Sequence, residues 1–594
     1  MEENLCKDPT SRKFYGYINK KFKCKSTIPP LLSHDQQLCF SDKEKANIFN
    51  HNFQKVFVVD DGKLPASHQL SSFLMDDIEI TSYDIKIAIS KMKSKLTRSP
   101  EGIPSFVLKQ ISQSILLPLR FIFNSCLREH WVPQQWKNSL IVPIFKKGDK
   151  SNPLNYRPIS LTSTFSRLFE SIIHAKISNH LNKFKLISPF QYGFLKKRSS
   201  CEQLLTCIYE WLSTVYKGNS CVHVIYTDIA KAFDTVSHKK LVSTLKSYGL
   251  NLHVISWIEE FLNNRVQSVC IGASISDPLP VYSGVPQGSV LGPLLFLMYI
   301  DGITSCVSSS NAPTGIRLFA DDAKLFSTGE ANLQLSLNNL VSWLDDHQLK
   351  IAANKCNSIC LHKTKAVVTP PIFSIKTQNL LYNPLIRDLG VMISDDLKWD
   401  PHINQIVKKS SLKSYQLLKF FKSRNVWTLK KLFCTYVRPL LEYNTPVWSP
   451  YLLKNKASVE SIQKRYTKVI FRRCGISYTS YQDRLYKLDL ESLERRRINY
   501  DLILLYKIIH GLSCIKFQDY FKFTVTPYSL RRNSVQIIPN HQTKPTNQLW
   551  QNNFFHRVYP IWNELPDEIA TATNLNDFKI KLKKHKIVNR LSFV

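Results

Sequence analysis

Aspartates are costly to keep among strand-forming apolar residues unless something neutralises them, and this chain keeps them there twice. Arg317-Leu-Phe-Ala-Asp321-Asp322-Ala-Lys-Leu-Phe326 sets an Asp pair between two apolar stretches. That pattern predicts a β-hairpin whose turn carries adjacent carboxylates. Val222-His-Val-Ile-Tyr-Thr-Asp228 alternates apolar and polar residues and ends in a carboxylate. It predicts a buried strand that delivers Asp228 at its C-terminal end. Divalent cations would neutralise such charges, and hard oxygen ligands suit Mg2+. Two ions held about 4 Å apart by shared carboxylates carry out in-line phosphoryl transfer. An Asp-Asp turn alone is a weak pattern that also occurs in hairpins with no chemistry, so its surroundings decide.

The Asp pair lies in Phe319-Ala-Asp-Asp322. Upstream stands Tyr226-Thr-Asp-Ile-Ala-Lys-Ala-Phe-Asp-Thr-Val-Ser-His238, and between the two Ser283-Gly-Val-Pro-Gln-Gly-Ser-Val-Leu-Gly-Pro-Leu-Leu-Phe-Leu297. These segments, in this order, resemble the catalytic motifs of reverse transcriptases. Their wording is similar to that of non-long-terminal-repeat (LINE-type) retrotransposons, in particular the jockey-like elements. The resemblance begins at Pro143-Ile-Phe-Lys-Lys-Gly-Asp149 and Asn155-Tyr-Arg-Pro-Ile-Ser-Leu161. It continues through Gln191-Tyr-Gly-Phe194, Arg387-Asp-Leu-Gly-Val391 and Tyr436-Val-Arg-Pro-Leu-Leu-Glu-Tyr443 to Ile561-Trp-Asn-Glu-Leu-Pro566.

The resemblance implies an α+β fold: a right-hand polymerase with fingers, palm and thumb, and a helical basic C-terminal extension. It implies RNA-templated DNA synthesis that extends a 3′-hydroxyl primer with dNTPs, using two Mg2+ ions, with Mn2+ as a substitute. Asp228 and Asp321 would be the principal metal ligands, Asp322 would assist, and the Ile229 carbonyl would complete one shell. Phe233, five residues after Asp228, would pack under the incoming sugar and clash with a ribose 2′-hydroxyl, the group that distinguishes RNA from DNA. Gln287 and Gly288 would line the nucleotide and template-base pocket. The glycines of Gly284-Val-Pro-Gln-Gly288 would allow close backbone approach, and Pro286 would start a helix. Arg157, Lys146 and Lys147 would neutralise the triphosphate, with both lysines equally readable as a solvated turn before Gly148-Asp149. Lys355 would protonate the leaving pyrophosphate. Two departures from the family pattern stand out. Ala352-Ala-Asn-Lys355 replaces Asn-Pro-x-Lys, and Glu101 in Ser99-Pro-Glu-Gly-Ile-Pro104 replaces an Asp at a structural position.

Charge agrees with a polyanionic partner. Of 594 residues, 80 are Lys or Arg and 45 Asp or Glu, a formal charge of +35. Residues 401–594 hold 34 basic and 12 acidic residues, a surplus of +22, and residues 401–440 hold no acid at all. Texture divides the chain into residues 1–95, mixed-charge with helix-like stretches; 96–400, helical patterns alternating with short apolar runs; and 401–594, basic and mostly helical. By the resemblance these would be a connector, the fingers and palm, and the thumb with a basic helical region. Leu493-Glu-Arg-Arg-Arg497 begins an amphipathic helix with one basic patch. Phe578-Lys-Ile-Lys-Leu-Lys-Lys-His-Lys586 is either an RNA contact or nuclear address, or a solvated helical face with Phe578 and Leu582 inward.

The N-terminus has no signal-peptide core and no apolar run is long enough to span a membrane. The expectation is an intracellular protein without a membrane partner, nuclear if it takes part in retrotransposition. The 14 cysteines lack disulfide or zinc spacing and are expected to be reduced thiols. No protease triplet, RNase H carboxylate set or zinc knuckle is recognisable. Elements of this type usually carry an endonuclease ahead of the polymerase, whereas about 95 residues precede the fingers here. The chain thus resembles a product that begins after its nuclease. RNA template and DNA primer or nicked target DNA are the expected partners, with endonuclease activity supplied from elsewhere. The alternative is a catalytically silent fragment that only binds nucleic acid; the intact Asp228, Asp321, Asp322 and Phe233 oppose it.

Overall fold

The computed structural model describes residues 28–585 except 33–37, 66–69, 95, 97–98, 218–220, 309–313, 364–369, 478, 525–533 and 541–546. Helix α1 (Asp42–Gln54) starts where the Ser41 hydroxyl accepts from the Glu44 amide, with Asp42 and Glu44 in its first turn. Both features favour a helix N-terminus. Its buried residues Ala46, Phe49, Asn50 and Phe53 recur at helical spacing and face a sheet.

That sheet begins with β1 (Asn138–Phe145) and β2 (Tyr156–Leu161), an antiparallel pair. Helix α2 (Thr164–Lys183) follows, capped by Ser163 and by Glu101, whose carboxylate accepts from the Thr164 amide at 2.6 Å. The extra methylene of Glu101 is therefore accommodated in a structural cap. Helix α3 (Ser200–Lys217) leads into β3 (Val222–Thr227), and β4 (Arg265–Ile271) then joins the first sheet parallel to β1. Phe49 and Phe53 of α1 share a small core with Ile141, Tyr156, Val269 and Ile271. Asn50 and Gln267 exchange a side-chain hydrogen bond of 3.0 Å across the contact. The stretch expected to be a connector is thus packed into the first sheet.

After helix α4 (Gly292–Ile300) come β5 (Gly315–Phe319) and β6 (Asp322–Ser327), then β7 (Asn357–Leu361) and β8 (Leu381–Tyr382). They form a second sheet in the order β8-β7-β3-β6-β5, with β3 central and antiparallel to both β6 and β7. A central strand must satisfy two faces. Val222 and Val224 pack with α3 and the C-terminal helices, whereas Ile225 joins the core of α2 and α4. The polar positions His223 and Thr227 are buried as well, so the alternation read from sequence marks two cores rather than a wet and a dry face.

Hairpin β9 (Leu385–Asp388) and β10 (Val391–Ser394) connects the second sheet to helix α5 (Asp400–Phe420), α6 (Leu453–Arg473), α7 (Leu493–Ile509) and α8 (Leu575–Lys584). The expected mixed helix-and-sheet fold is present. In α8, Phe578 and Leu582 are buried and Phe578 stacks on Tyr506 at 4.4 Å, so these two residues face inward; Lys586 lies outside the described residues. The basic patch expected on α7 is not a free surface. Arg496 pairs with Glu442, Arg495 with Glu491 at 3.3 Å, and Arg497 is buried. Glu491 lies four residues before Arg495, whereas Glu442, the partner of Arg496, comes from another stretch of chain that helix periodicity does not reveal. The described cysteines are free thiols. Among the described residues no helix is long and apolar enough to cross a membrane.

Candidate active site

The Asp-Asp hairpin closes with a two-residue turn in which Phe319 faces Asp322. Ala320 has φ +57°, the left-handed conformation that a tight hairpin turn needs. Asp321 occupies the turn and Asp322 opens β6, so the two carboxylates stand on different backbone geometries.

A buried amide fixes this turn. The Gln191 side-chain oxygen accepts from the Ala320 amide at 2.9 Å and from the Gly193 amide at 2.8 Å. A Cβ on Gly193 would lie 2.3 Å from the Ala320 nitrogen, so only glycine permits the approach. Gln203 adds a 2.9 Å bond to the Leu318 carbonyl. The sequence singled out Gln191-Tyr-Gly-Phe194 by resemblance alone; its task is to hold the carboxylate turn.

Asp228 directly follows β3. Pairing of Ala323 with Thr227, continued by one step, sets Asp322 across from Asp228. The Asp228 carbonyl accepts from the Ala352 amide at 2.8 Å, and the Ala230 amide donates to the Lys350 carbonyl at 2.7 Å. These two bonds flank Ile229 and leave its carbonyl outside the bridge. The same Ala352 anchors a short turn, Ala353–Lys355, that directs Lys355 back to the site. Lys355 Nζ donates to Asp228 Oδ2 at 2.8 Å. The departure Ala352-Ala-Asn therefore keeps the lysine on the carboxylate.

The three carboxylates feel one another. Burial raises the Asp321 pKa, the charge of Asp228 raises it further, and Arg157 and Lys146 pull it back. Asp322 reaches solvent, yet the burial around it, then Asp321 and Asp228, push it up to about 6. Lys146 is lowered by burial and then by Arg157 and Lys355. A cation shared among the carboxylates would relieve this repulsion, and three carboxylates plus a carbonyl are the hard-oxygen donors that Mg2+ takes. Among the described residues no three His, Cys, Asp or Glu side chains already stand in a closed metal-binding group. The residues fit a metal that enters with its own remaining ligands, Asp228 offering Oδ1 while Lys355 holds Oδ2.

Around the carboxylates the three motif loops are bonded to one another. The Val285 amide donates to the Phe233 carbonyl and the Gly284 amide to the Val236 carbonyl, both at 2.8 Å. Gln287 Nε2 donates to Asp234 Oδ1 at 2.7 Å, and its carbonyl accepts from the Ser160 amide on β2 at 2.8 Å. At Gly288, φ +139°, a Cβ would meet the Ser160 carbonyl at 2.2 Å. Arg157, exposed on β2, and Lys146, exposed just after β1, thus sit on the strand pair to which Gln287 and Gly288 are tied. Lys147 is exposed beside them. Phe233 is half-buried; its ring stacks on Phe296 of α4 at 4.3 Å and meets the exposed Phe194 edge-on at 6.1 Å.

One expectation needs correction. Pro286 does not start a helix: its carbonyl closes a turn with the Ser289 amide at 3.1 Å, and α4 begins at Gly292 with Pro293 in its first turn. The helix start is set instead by Glu170 of α2, fully buried, whose Oε2 accepts from the Val290 amide at 2.7 Å and the Leu291 amide at 3.1 Å. Sequence reasoning missed Glu170. A lone acid in the apolar run Leu168-Phe-Glu-Ser-Ile-Ile173 was the available signal.

Comparison with known proteins agrees with this geometry. Residues 144–393 match the family described as reverse transcriptase (RNA-dependent DNA polymerase). The chain is 26% identical over 470 residues to the probable RNA-directed DNA polymerase from transposon BS of Drosophila melanogaster, covering 74% of this chain and 51% of that protein. It is 25% identical over 462 residues to the corresponding protein of transposon X-element, covering 74% and 50%. The RNA-directed DNA polymerase from mobile element jockey, also of Drosophila melanogaster, is 24% identical over 497 residues, covering 80% and 53%. The chain spans about half the length of these relatives. It therefore carries a reverse transcriptase domain, homologous to those of the non-LTR retrotransposons jockey, BS and X-element.

Proposed function

We propose that this protein is an RNA-directed DNA polymerase that extends a 3′-hydroxyl primer with dNTPs on an RNA template. The observation that carries the proposal is the meeting of Asp228 and the Asp321–Asp322 turn on adjacent strands, with Arg157, Lys146 and Lys355 close enough to act on their charges. Two Mg2+ ions, or Mn2+ in their place, would be held by Asp228, Asp321, Asp322 and the Ile229 carbonyl; bound there, they supply a lowered pKa for the attacking hydroxyl and charge neutralisation for the leaving group.

The chain's own residues do the rest. Arg157 and Lys146 bind the triphosphate through charge-assisted contacts. Gln287 is oriented by Asp234 and, with Gly288, lines the base pocket against β2. Phe233 closes the space in which a 2′-hydroxyl would lie. Lys355 Nζ holds the proton that the departing pyrophosphate takes up. Its hydrogen bond to Asp228 keeps that proton in place before nucleotide enters.

Residues 96–400 would act as fingers and palm and 401–594 as thumb and basic extension. Exposed Lys408, Lys409 and Lys419 on α5 and Lys422 and Arg424 after it suit sequence-blind contact with template–primer phosphates. The primer would be DNA, such as nicked target DNA in the nucleus.

The test is dTTP incorporation by the purified chain on poly(rA)/oligo(dT) with Mg2+, beside Asp321→Ala. Incorporation that Asp321→Ala abolishes is expected. No incorporation by the unmodified chain, with tight RNA binding retained, would leave a nucleic-acid-binding protein and end the polymerase reading.

A further inference from the structure

Beneath the carboxylate hairpin lies an ion pair that the proposed reaction does not use. Lys324 follows Asp322 by two residues on β6 and therefore lies on the same face of the strand. Its ammonium donates to Asp388 Oδ2 at the end of β9, and each side chain is only 4% exposed. The Tyr226 ring of β3 stands 5.8 Å from the ammonium. Asp388 and Lys324 both act on the charge of Asp322.

Such a pair is a poor way to gain stability. Removing two charges from water costs more than their attraction usually returns, and well-packed apolar side chains of similar volume hold two strands as well or better. What an ion pair adds is registry, because it has one optimum geometry where apolar side chains have several. The element so held is a junction. Helix α5 begins at Asp400, a short turn past β10, and packs on it. Tyr443 donates from its hydroxyl to the Leu389 carbonyl at 3.0 Å, and a Cβ on Gly390, φ +90°, would lie 2.9 Å from the Tyr443 ring. The β9–β10 turn is thus bound to the C-terminal helices on one side and, through Asp388, to the carboxylate strand on the other.

We propose that Lys324 and Asp388 are positioning residues that lock the β9–β10 hairpin, and with it the C-terminal helices, in one register against the strand bearing Asp322. This rests on the polymerase reading. Nucleic acid gripped by the helices and reacted on at the carboxylates must be held in common register, and a misplacement of about 1 Å costs roughly a hundredfold in rate.

The experiment compares Lys324→Met, Asp388→Asn and the apolar double variant K324M/D388L with the unmodified chain. It reads dTTP kcat, template–primer Kd by fluorescence anisotropy, Tm, and amide exchange over residues 317–327 and 385–394. Each single variant should lower kcat at least about tenfold with Kd within about twofold. The double variant should regain the Tm but not the kcat, and Asp388→Asn should speed exchange in both segments together. A double variant that regains kcat along with Tm would reduce the pair to packing. Single variants that keep kcat within about twofold would overturn the proposal. An unmodified chain that incorporates nothing would remove the polymerase reading instead. The exchange measurement then decides alone, and a rise confined to 385–394 goes against the lock.

Discussion

The chemistry proposed here depends on a few side chains whose environments make separate predictions. Phe233 stacks on Phe296, so Phe233→Val opens space beside the sugar while keeping part of the contact. Discrimination against rNTPs should fall in single-nucleotide incorporation, and unchanged discrimination would remove Phe233 as the gate. Lys355→Ala should lower kcat by roughly a hundredfold, the usual scale for removing a general acid. Asp301 is a control outside the proposed reaction. It is buried, accepts from the Ser188 amide at 3.0 Å and the Tyr248 hydroxyl at 3.4 Å, and burial raises its pKa to about 6. A raised carboxylate pKa means that stability is fully present below the unfolded value near 4 and is lost as pH rises through 6. The loss amounts to about 3 kcal/mol. Urea unfolding of Asp301→Asn should lack this decline between pH 4 and pH 7, and parallel profiles would contradict the assignment.

At the scale of elements, the site is held by polar groups buried behind it. Glu170 supplies the acceptors for the start of α4, which follows the Gln287–Gly288 loop. Glu170→Ala strands two amides in the core and should destabilise the protein by about 2–5 kcal/mol. Glu170→Gln keeps one acceptor oxygen and should recover most of the stability, with the KM for dTTP still raised. Equal KM in both variants and the unmodified chain would limit Glu170 to a fold role. The hairpin itself was legible because apolar residues on both sides of a charged pair leave a turn as the one cheap solution. The Gln191 bond to Ala320 was not legible in the same way, since its partners are 129 residues apart. Misassignment of the helix start to Pro286 has the same origin. Two prolines satisfy the local rule, and the distant carboxylate of Glu170 selects Pro293.

Across the whole molecule, charge divides into cations that face solvent and cations consumed inside. Lys408, Lys409 and Lys419 are exposed, whereas Arg495 and Arg496 pair with Glu491 and Glu442 and Arg497 is buried. Alanine at each of the three lysines should reduce the slope of log K against log salt for template–primer binding by roughly one for each phosphate no longer neutralised. Substituting Arg496 should lower Tm and leave that slope alone; a slope that tracks Arg496 would reverse the division. The carboxylates and their delivery on strands could be read along the chain, because strand periodicity and turn chemistry are local. So could the resemblance that the domain match bears out. Folding in three dimensions settled which cations face solvent, what braces the Asp321 turn, and that the helix of residues 42–54 packs on the first sheet. Those outcomes depend on pairing between residues distant in the chain, and buried polar partners leave no periodic trace along it.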